Sequence, residues 1–138
     1  MKISVMGTGY VGLVSGTCLA ERGHQVTCID IRSEVVQEIN AGRPPIHEIG
    51  LDNLLRSARD KGMLSATTDA KTAILDSDVT LICVGTPTVD GRMDMSQIVA
   101  AAKEIGSALA SKRGYHVVAV KSTVLPGTTE GPVKAAIE

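Results

Sequence analysis

Residues 2–16, KISVMGTGYVGLVSG, place three glycines directly after a short apolar run. Glycine at the end of a strand weakens regular structure, so either a tight turn or a ligand must favour it there. Gly7, Gly9 and Gly12 match the pattern G-x-G-x-x-G in full. In that pattern the first glycine makes a tight turn, the second lets the backbone approach a pyrophosphate, and the third lets a helix pack closely on a strand. The stretch therefore predicts a strand, a turn and a helix that begins at a dinucleotide.

The predicted helix start and a distant carboxylate specify the dinucleotide further. The amides of Tyr10 and Val11 lie in the first helical turn, where unpaired N–H groups favour an anion. Asp30 ends the second predicted strand, 18 residues after Gly12, where a carboxylate accepts hydrogen bonds from the adenosine ribose. Its charge would repel a 2′-phosphate, so NAD is favoured over NADP. Arg32 is the residue type that NADP enzymes use, but beside Asp30 we expect an exposed arginine or one flanking the adenine.

Apolar runs alternate with longer helical patterns along the whole chain, which predicts repeated β-α units. The predicted strands are 2–6, 25–30, 64–68, 79–84 and 116–121. The predicted helices cover 10–23, 34–42 with Ser33 as the cap, 51–62, a segment beginning at Asp94 or Ser96 and running to 111, and 127–138. The fold class is therefore α/β, a Rossmann-type doubly wound parallel sheet of about five strands.

Helical spacing also predicts which residues face the sheet. For the first helix these are Val11, Val14, Cys18 and Leu19. For the helix before the fifth strand they are Ile98, Ala101, Ala102, Ile105 and Leu109.

Two further strand ends carry small and hydroxyl residues. The fourth predicted strand continues as Val84, Gly85, Thr86, Pro87 and Thr88, and the fifth ends with Ser122 and Thr123. Because parallel strands end at the same edge of a sheet, we expect these segments to share one cleft with the glycine turn.

Composition excludes several classes of function. The 138 residues suit one domain, and 43% hydrophobic with 21% charged residues is typical of a globular protein. A net charge of −1 and only two aromatic residues give no basis for binding nucleic acid or an anionic membrane. We therefore expect neither partner. The start MKISVMG does not resemble a signal peptide and no apolar run is long enough to span a bilayer, so we expect a cytoplasmic protein.

The cysteines and histidines form no reactive set. Cys18, Cys28 and Cys83 are scattered, so we expect small buried hydrophobes rather than ligands or nucleophiles. No metal cluster can be assembled, and among the histidines only His47, in a proline loop, has any claim on a ligand.

These motifs together resemble the N-terminal NAD-binding domain of the UDP-glucose/GDP-mannose dehydrogenase family. The resemblance covers essentially the whole chain, through GTGYVGLVSG, CIDI, PPIHEIGLDNLL, DSDVTLICVGTPT and KSTVLPGTT. It implies an enzyme that oxidises the C6 alcohol of a nucleotide sugar to a carboxylate with two NAD. UDP-glucose is the expected substrate, with GDP-mannose or an N-acetyl-hexosamine nucleotide as alternatives.

The resemblance also implies roles for individual residues. Tyr10 and Val11 would hold the pyrophosphate, Asp30 the ribose, and residues 84–88 would line the cofactor. Ser122 and Thr123 would lie near the nicotinamide, and Thr123 would help to position a catalytic water.

One departure concerns a basic residue that the family usually has five residues after the acid. This chain has Val35 there, and Arg32 is the candidate to replace that contact. The family's catalytic cysteine, lysine, asparagine and glutamate lie beyond the equivalent of Glu138. We therefore expect 1–138 to be the N-terminal domain of a longer, homodimeric enzyme, without its central helix and sugar-nucleotide domain, and to be inactive alone.

Two other classes pair a glycine-rich turn with an acid. S-adenosylmethionine methyltransferases do so, but the third glycine and the Thr-Pro exit after strand four argue against them. An NAD-sensing regulatory module fits the length, but it would not need STVLPGT.

Overall fold

The structure, a computed structural model, describes residues 1–138 and contains every predicted strand. The helices and strands, in chain order, are β1 Lys2–Met6, α1 Tyr10–Glu21, β2 Gln25–Ile29, α2 Ser33–Asn40, α3 Leu51–Asp60, β3 Leu64–Thr67, α4 Ala70–Leu75, β4 Val79–Ile82, β5 Thr88–Val89, β6 Arg92–Met93, α5 Ser96–Leu109, β7 Val117–Val120 and α6 Lys134–Ile137. A π-helical turn, Thr129–Val133, leads directly into α6.

Five strands form one parallel sheet in the order β3-β2-β1-β4-β7. In the central register, Val5 of β1 lies between Cys28 of β2 and Leu81 of β4. The chain moves outward from β1 to β3 and then crosses back to the other side of β1. The strand order therefore reverses between β1 and β4, where ligands of such sheets bind. This confirms the Rossmann-type α/β prediction.

Successive residues of a strand point to opposite faces, so each face of the sheet has its own core. Val5 packs on the face covered by α1, α2 and α3, and Met6 packs on the face covered by α4, α5 and the C-terminal helical segment. On α5 the predicted face is confirmed at Ile98 and Ile105, which are fully buried. Leu109 is only partly buried, and Ala108 takes its place in the core.

The prediction for the buried face of α1 was wrong for Val11 and Cys18, which are exposed, whereas Val14 and Leu19 are partly buried and pack against the core. The buried residues of the helix are Gly12, Leu13, Gly16, Thr17 and Ala20. All of these except Leu13 are small because α1 lies close to the sheet: a Cβ added at Gly16 would lie 3.3 Å from the Cys28 sulfur. Periodicity favoured the larger apolar residues and so missed these small ones. Cys28 and Cys83 are buried as predicted, but Cys18 is not.

Three short elements, α4, β5 and β6, were missed, and one cap was assigned wrongly. The six-residue α4 is too short for a periodic signal, although the carboxylate of Asp69 caps it by accepting the amide of Thr72 at 3.0 Å. The β5–β6 hairpin turns at Asp90 and Gly91, both with positive φ, as a two-residue type I′ turn requires. Ser33 is the first residue of α2 and makes no capping hydrogen bond.

None of the helices is both long and apolar enough to cross a membrane.

Candidate cofactor-binding site

A cleft of about 720 Å³ lies at the carboxyl edge of the sheet, beyond the ends of the neighbouring strands β1 and β4. The predicted site residues that line it are Gly7, Gly9, Tyr10, Val11, Asp30, Arg32, Val84, Gly85, Thr86, Ser122 and Thr123. Gly12 and Pro87 do not line it. The three strand ends identified in the sequence thus form one site.

Each glycine of the turn occupies a different environment. Gly7 has φ +97°, and a Cβ there would lie 2.7 Å from the carbonyl oxygen of Cys83. A Cβ at Gly12 would lie 1.9 Å from the carbonyl oxygen of Gly7. By contrast, a Cβ at Gly9 would meet no protein atom within 4 Å. Gly7 and Gly12 are therefore required by the fold itself, and Gly9 is not.

The start of α1 presents backbone donors to the cleft. The first hydrogen bond of the helix joins the amide of Leu13 to the carbonyl of Gly9 at 2.9 Å, and no side chain caps the helix. The preceding amides, of Tyr10, Val11 and Gly12, therefore have no backbone acceptor. Tyr10 and Val11 are also exposed. Unpaired amides and the helix dipole together make this a place for an anionic group.

Asp30 is a buried carboxylate surrounded by donors. Its Oδ1 accepts the Arg32 amide at 3.0 Å and Arg32 Nε at 3.0 Å, and its Oδ2 accepts Arg32 Nη2 at 3.2 Å. Burial by itself would raise the pKa of this carboxyl, but the hydrogen bonds from Arg32 and Thr8 outweigh it and hold the pKa below its usual range. Asp30 is therefore ionised at neutral pH.

Thr8 is a site residue that the sequence reasoning missed. Its side chain is buried, and its hydroxyl donates to Asp30 Oδ2. Thr8 is one of the unspecified positions of the glycine pattern, so the pattern carries no signal for it. Only the approach of the β1 turn to the end of β2 reveals that this hydroxyl orients the carboxylate.

The ends of β4 and β7 are tied to each other. Ser122 Oγ donates to the carbonyl of Val84 at 2.6 Å, and Thr86 Oγ1 donates to the carbonyl of Thr123 at 2.7 Å. Thr123 is exposed in the cleft. The hydroxyls of Ser122 and Thr86 therefore connect the ends of β4 and β7, whereas Thr123 stays exposed at the cleft.

Helix α5 supplies a wall that the sequence reasoning did not assign. Gln97, Ala100, Ala101 and Glu104 all line the cleft. Their spacing of three and four residues is the signal of one helical face. Helical spacing on α5 predicted only the face that packs on the sheet, so this second face carried no prediction.

The cysteines, His47 and Val35 contribute no reactive or ligand-binding group to this site. Burial raises the pKa of the Cys83 thiol, which lines the cleft, to about 11, and that of Cys28 to about 12, so both are protonated at neutral pH. His47 is exposed and outside the cleft. Val35 is buried in the core beside Ile39 and offers no contact to a ligand.

His116 lies at the opposite edge of the sheet. Its ring contacts Thr80 Oγ1 at 2.8 Å and Lys112 Nζ at 3.0 Å. Burial, and then the charge of Lys112, lower the pKa of His116. This cluster is a structural polar network rather than part of the cleft.

Comparison with known proteins gives one consistent family. The profile of the "UDP-glucose/GDP-mannose dehydrogenase family, NAD binding domain" matches residues 1–138. The chain is 49% identical to GDP-mannose 6-dehydrogenase of Pseudomonas aeruginosa across its whole length. It is 48% identical to UDP-glucose 6-dehydrogenase of Rhizobium meliloti across 93% of its length, which is 29% of that relative.

Structural comparison agrees. A ternary complex of GDP-mannose dehydrogenase from Pseudomonas aeruginosa superposes with a TM-score of 0.98 and 49% identity, covering 100% of this chain and 32% of that one. The chain also spans 32% of the curated Pseudomonas aeruginosa relative. It thus corresponds to about a third of the length of these dehydrogenases.

Proposed function

The chain belongs to the UDP-glucose/GDP-mannose dehydrogenase family, as its NAD-binding domain, and on that basis we propose that it binds NAD for the oxidation of a nucleotide sugar. The observation that carries the proposal is the cleft at the reversal of strand order, with unpaired helix amides beside an ionised Asp30. We propose residues 1–138 as the N-terminal, cofactor-binding domain of such an enzyme.

The chemistry of the cleft fits NAD. Gly9 leaves open space in the cleft beside Tyr10 and Val11, which suits a pyrophosphate that binds the helix amides. Asp30 is placed to accept hydrogen bonds from the adenosine ribose. At the other end, Thr123 is the exposed hydroxyl available to the nicotinamide half or to a water molecule, while Val84, Gly85 and Thr86 line the space between.

The proposed reaction converts a C6 primary alcohol to a carboxylate. That change removes four electrons as two hydrides, and the second oxygen comes from water. When bound, NAD supplies the hydride acceptor for each of the two oxidations. The part of this chain is to hold the cofactor in the cleft. The Cys28 and Cys83 thiols, protonated at neutral pH, do not serve as nucleophiles here.

GDP-mannose is the substrate that the comparisons favour, and UDP-glucose is the second candidate. The Pseudomonas aeruginosa GDP-mannose enzyme matches over the whole chain, and the Rhizobium meliloti UDP-glucose enzyme is almost as similar over slightly less of it. Our expectation of UDP-glucose from the sequence alone is therefore not the first choice. The other two classes, a methyltransferase and an NAD sensor, are disfavoured by the family match.

Two measurements test this proposal. Calorimetric titration of the protein with NAD and with S-adenosylmethionine should give binding of NAD alone. Binding of S-adenosylmethionine without NAD would refute it.

Formation of NADH from GDP-mannose, UDP-glucose or an N-acetyl-hexosamine nucleotide by the full-length enzyme should identify the sugar, at two NADH for each carboxylate formed. For that enzyme we also propose a homodimer in the cytoplasm, which sedimentation and fractionation would test.

A further inference from the structure

The Asp30 carboxylate already has a donor for each of its acceptor positions. An ionised carboxylate offers about four lone-pair sites. In this structure those sites receive the amide, Nε and Nη2 of Arg32 and the hydroxyl of Thr8. A ribose diol, which must donate to the same oxygens, can bind only if one of these donors leaves.

Of the three groups that supply these four donors, only the Arg32 guanidinium is free to leave. Thr8 is 1% exposed, and the Arg32 amide is part of the backbone at the start of α2. The Arg32 side chain is 56% exposed, and its paired carboxylate is 7% exposed. The guanidinium can therefore move into solvent when another donor replaces it on Asp30, whereas neither of the other two groups can move without disturbing the fold.

We infer that Arg32 is a cofactor-specificity residue that competes with the adenosine ribose for Asp30. NAD binds by displacing the guanidinium, so the ion pair lowers the affinity for NAD. The positive charge of the same side chain, two residues from Asp30, also offsets the Asp30 charge that would otherwise repel a 2′-phosphate. Arg32 thus reduces the preference for NAD over NADP that Asp30 creates. The inference rests on the proposed NAD function.

Removing Arg32 should therefore move two affinities in opposite directions. In Arg32→Ala we expect NAD to bind about two- to fivefold more tightly, since a half-exposed ion pair no longer competes. NADP should bind about tenfold more weakly, because its phosphate then meets an uncompensated carboxylate. General damage to the site would lower the affinity for both NAD and NADP. Loss of a cation that ordinarily contacts NAD would also lower both affinities.

The control is Arg43→Ala, which removes a similar bidentate ion pair outside the cleft. Arg43 donates to Glu38 at 2.7 and 2.9 Å, and its side chain is 64% exposed. This variant should bind NAD and NADP as the unmodified protein does.

Calorimetric titration of the three proteins with NAD and NADP, with circular dichroism to verify folding, decides the matter. Tighter NAD binding and a raised NAD preference in Arg32→Ala support the inference. Weaker NAD binding, or an unchanged preference, overturns it while leaving the proposed function in place. Failure of all three folded proteins to bind NAD at millimolar concentration refutes the proposed function, and the inference with it.

Discussion

Gly9 is the position where a substitution should separate ligand binding from folding. It has φ −72° and ψ −167°, an extended conformation that any residue adopts. A Cβ there would meet no protein atom within 4 Å. Replacing glycine by alanine restricts the unfolded chain and stabilises by about 0.4–1 kcal/mol. Loss of a favourable N-cap residue costs a similar amount. The free energy of unfolding of Gly9→Ala should thus stay within about 0.5 kcal/mol of the original.

Binding should respond very differently, because Gly9 lines the cleft directly before the helix start whose amides are unpaired. A pyrophosphate could no longer approach the backbone closely. We expect Gly9→Ala to lose at least about tenfold in NAD affinity, equivalent to about 1.4 kcal/mol, and Gly9→Val to abolish detectable binding. Calorimetric titration with NAD measures the affinity of each variant, and urea denaturation followed by circular dichroism measures its free energy of unfolding.

Gly12→Ala is the matched control at the third glycine of the same turn. Its Cβ would lie 1.9 Å from the Gly7 carbonyl oxygen and 3.1 Å from the Cβ of Cys83, so α1 must move away from the sheet. Overpacking of this kind costs about 1–3 kcal/mol. The reasoning would be refuted if Gly9→Val bound NAD normally, or if Gly9→Ala lost as much stability as Gly12→Ala.

Asp30→Asn should reduce NAD affinity by about tenfold or more, since hydrogen bonds to a charged group contribute about 1.5–3 kcal/mol; unchanged affinity in a titration would contradict the ribose role. Burial and the charge of the neighbouring lysine lower the pKa of His116 in the folded protein. As the pH falls, the unfolded chain therefore binds a proton at this residue before the folded protein does. Its contribution to stability should be complete above about pH 6.5 and decline below it, and urea melts of His116→Gln should show a weaker decline. Gly106→Ala should cost about 1–3 kcal/mol, because its Cβ would lie 2.4 Å from the Ile137 carbonyl oxygen. Gly131→Ala, with open space around its Cβ, serves as its control in the same melts, and equal losses would contradict the packing argument.

Local patterns predicted most of the architecture. Strands appear as short apolar runs because both faces of a parallel sheet are buried, and that property belongs to each segment separately. The glycine turn and Asp30 were likewise predictable, since their spacing reflects the fixed length of one β-α-β unit. It was also predictable that the carboxyl ends of β4 and β7 line the same cleft, because parallel strands end at the same edge of a sheet.

Packing between segments that are distant in the sequence determined the features that local patterns did not predict. The buried side of α1 depends on how closely the helix lies to β1 and β2, so its small residues face inward and Cys18 faces out. The contribution of Glu104 on α5 likewise depends on where that helix crosses the cleft.

The sequence by itself determined a Rossmann-type fold with a dinucleotide turn and an acidic partner, because strand burial, glycine geometry and unit length are properties of contiguous residues. The tertiary structure alone decided that Gly9 is open while Gly12 is enclosed. It alone showed Thr8 and Arg32 on the oxygens of Asp30. Those distinctions arise where separate β-α units meet, and packing between units leaves no periodic trace in the chain.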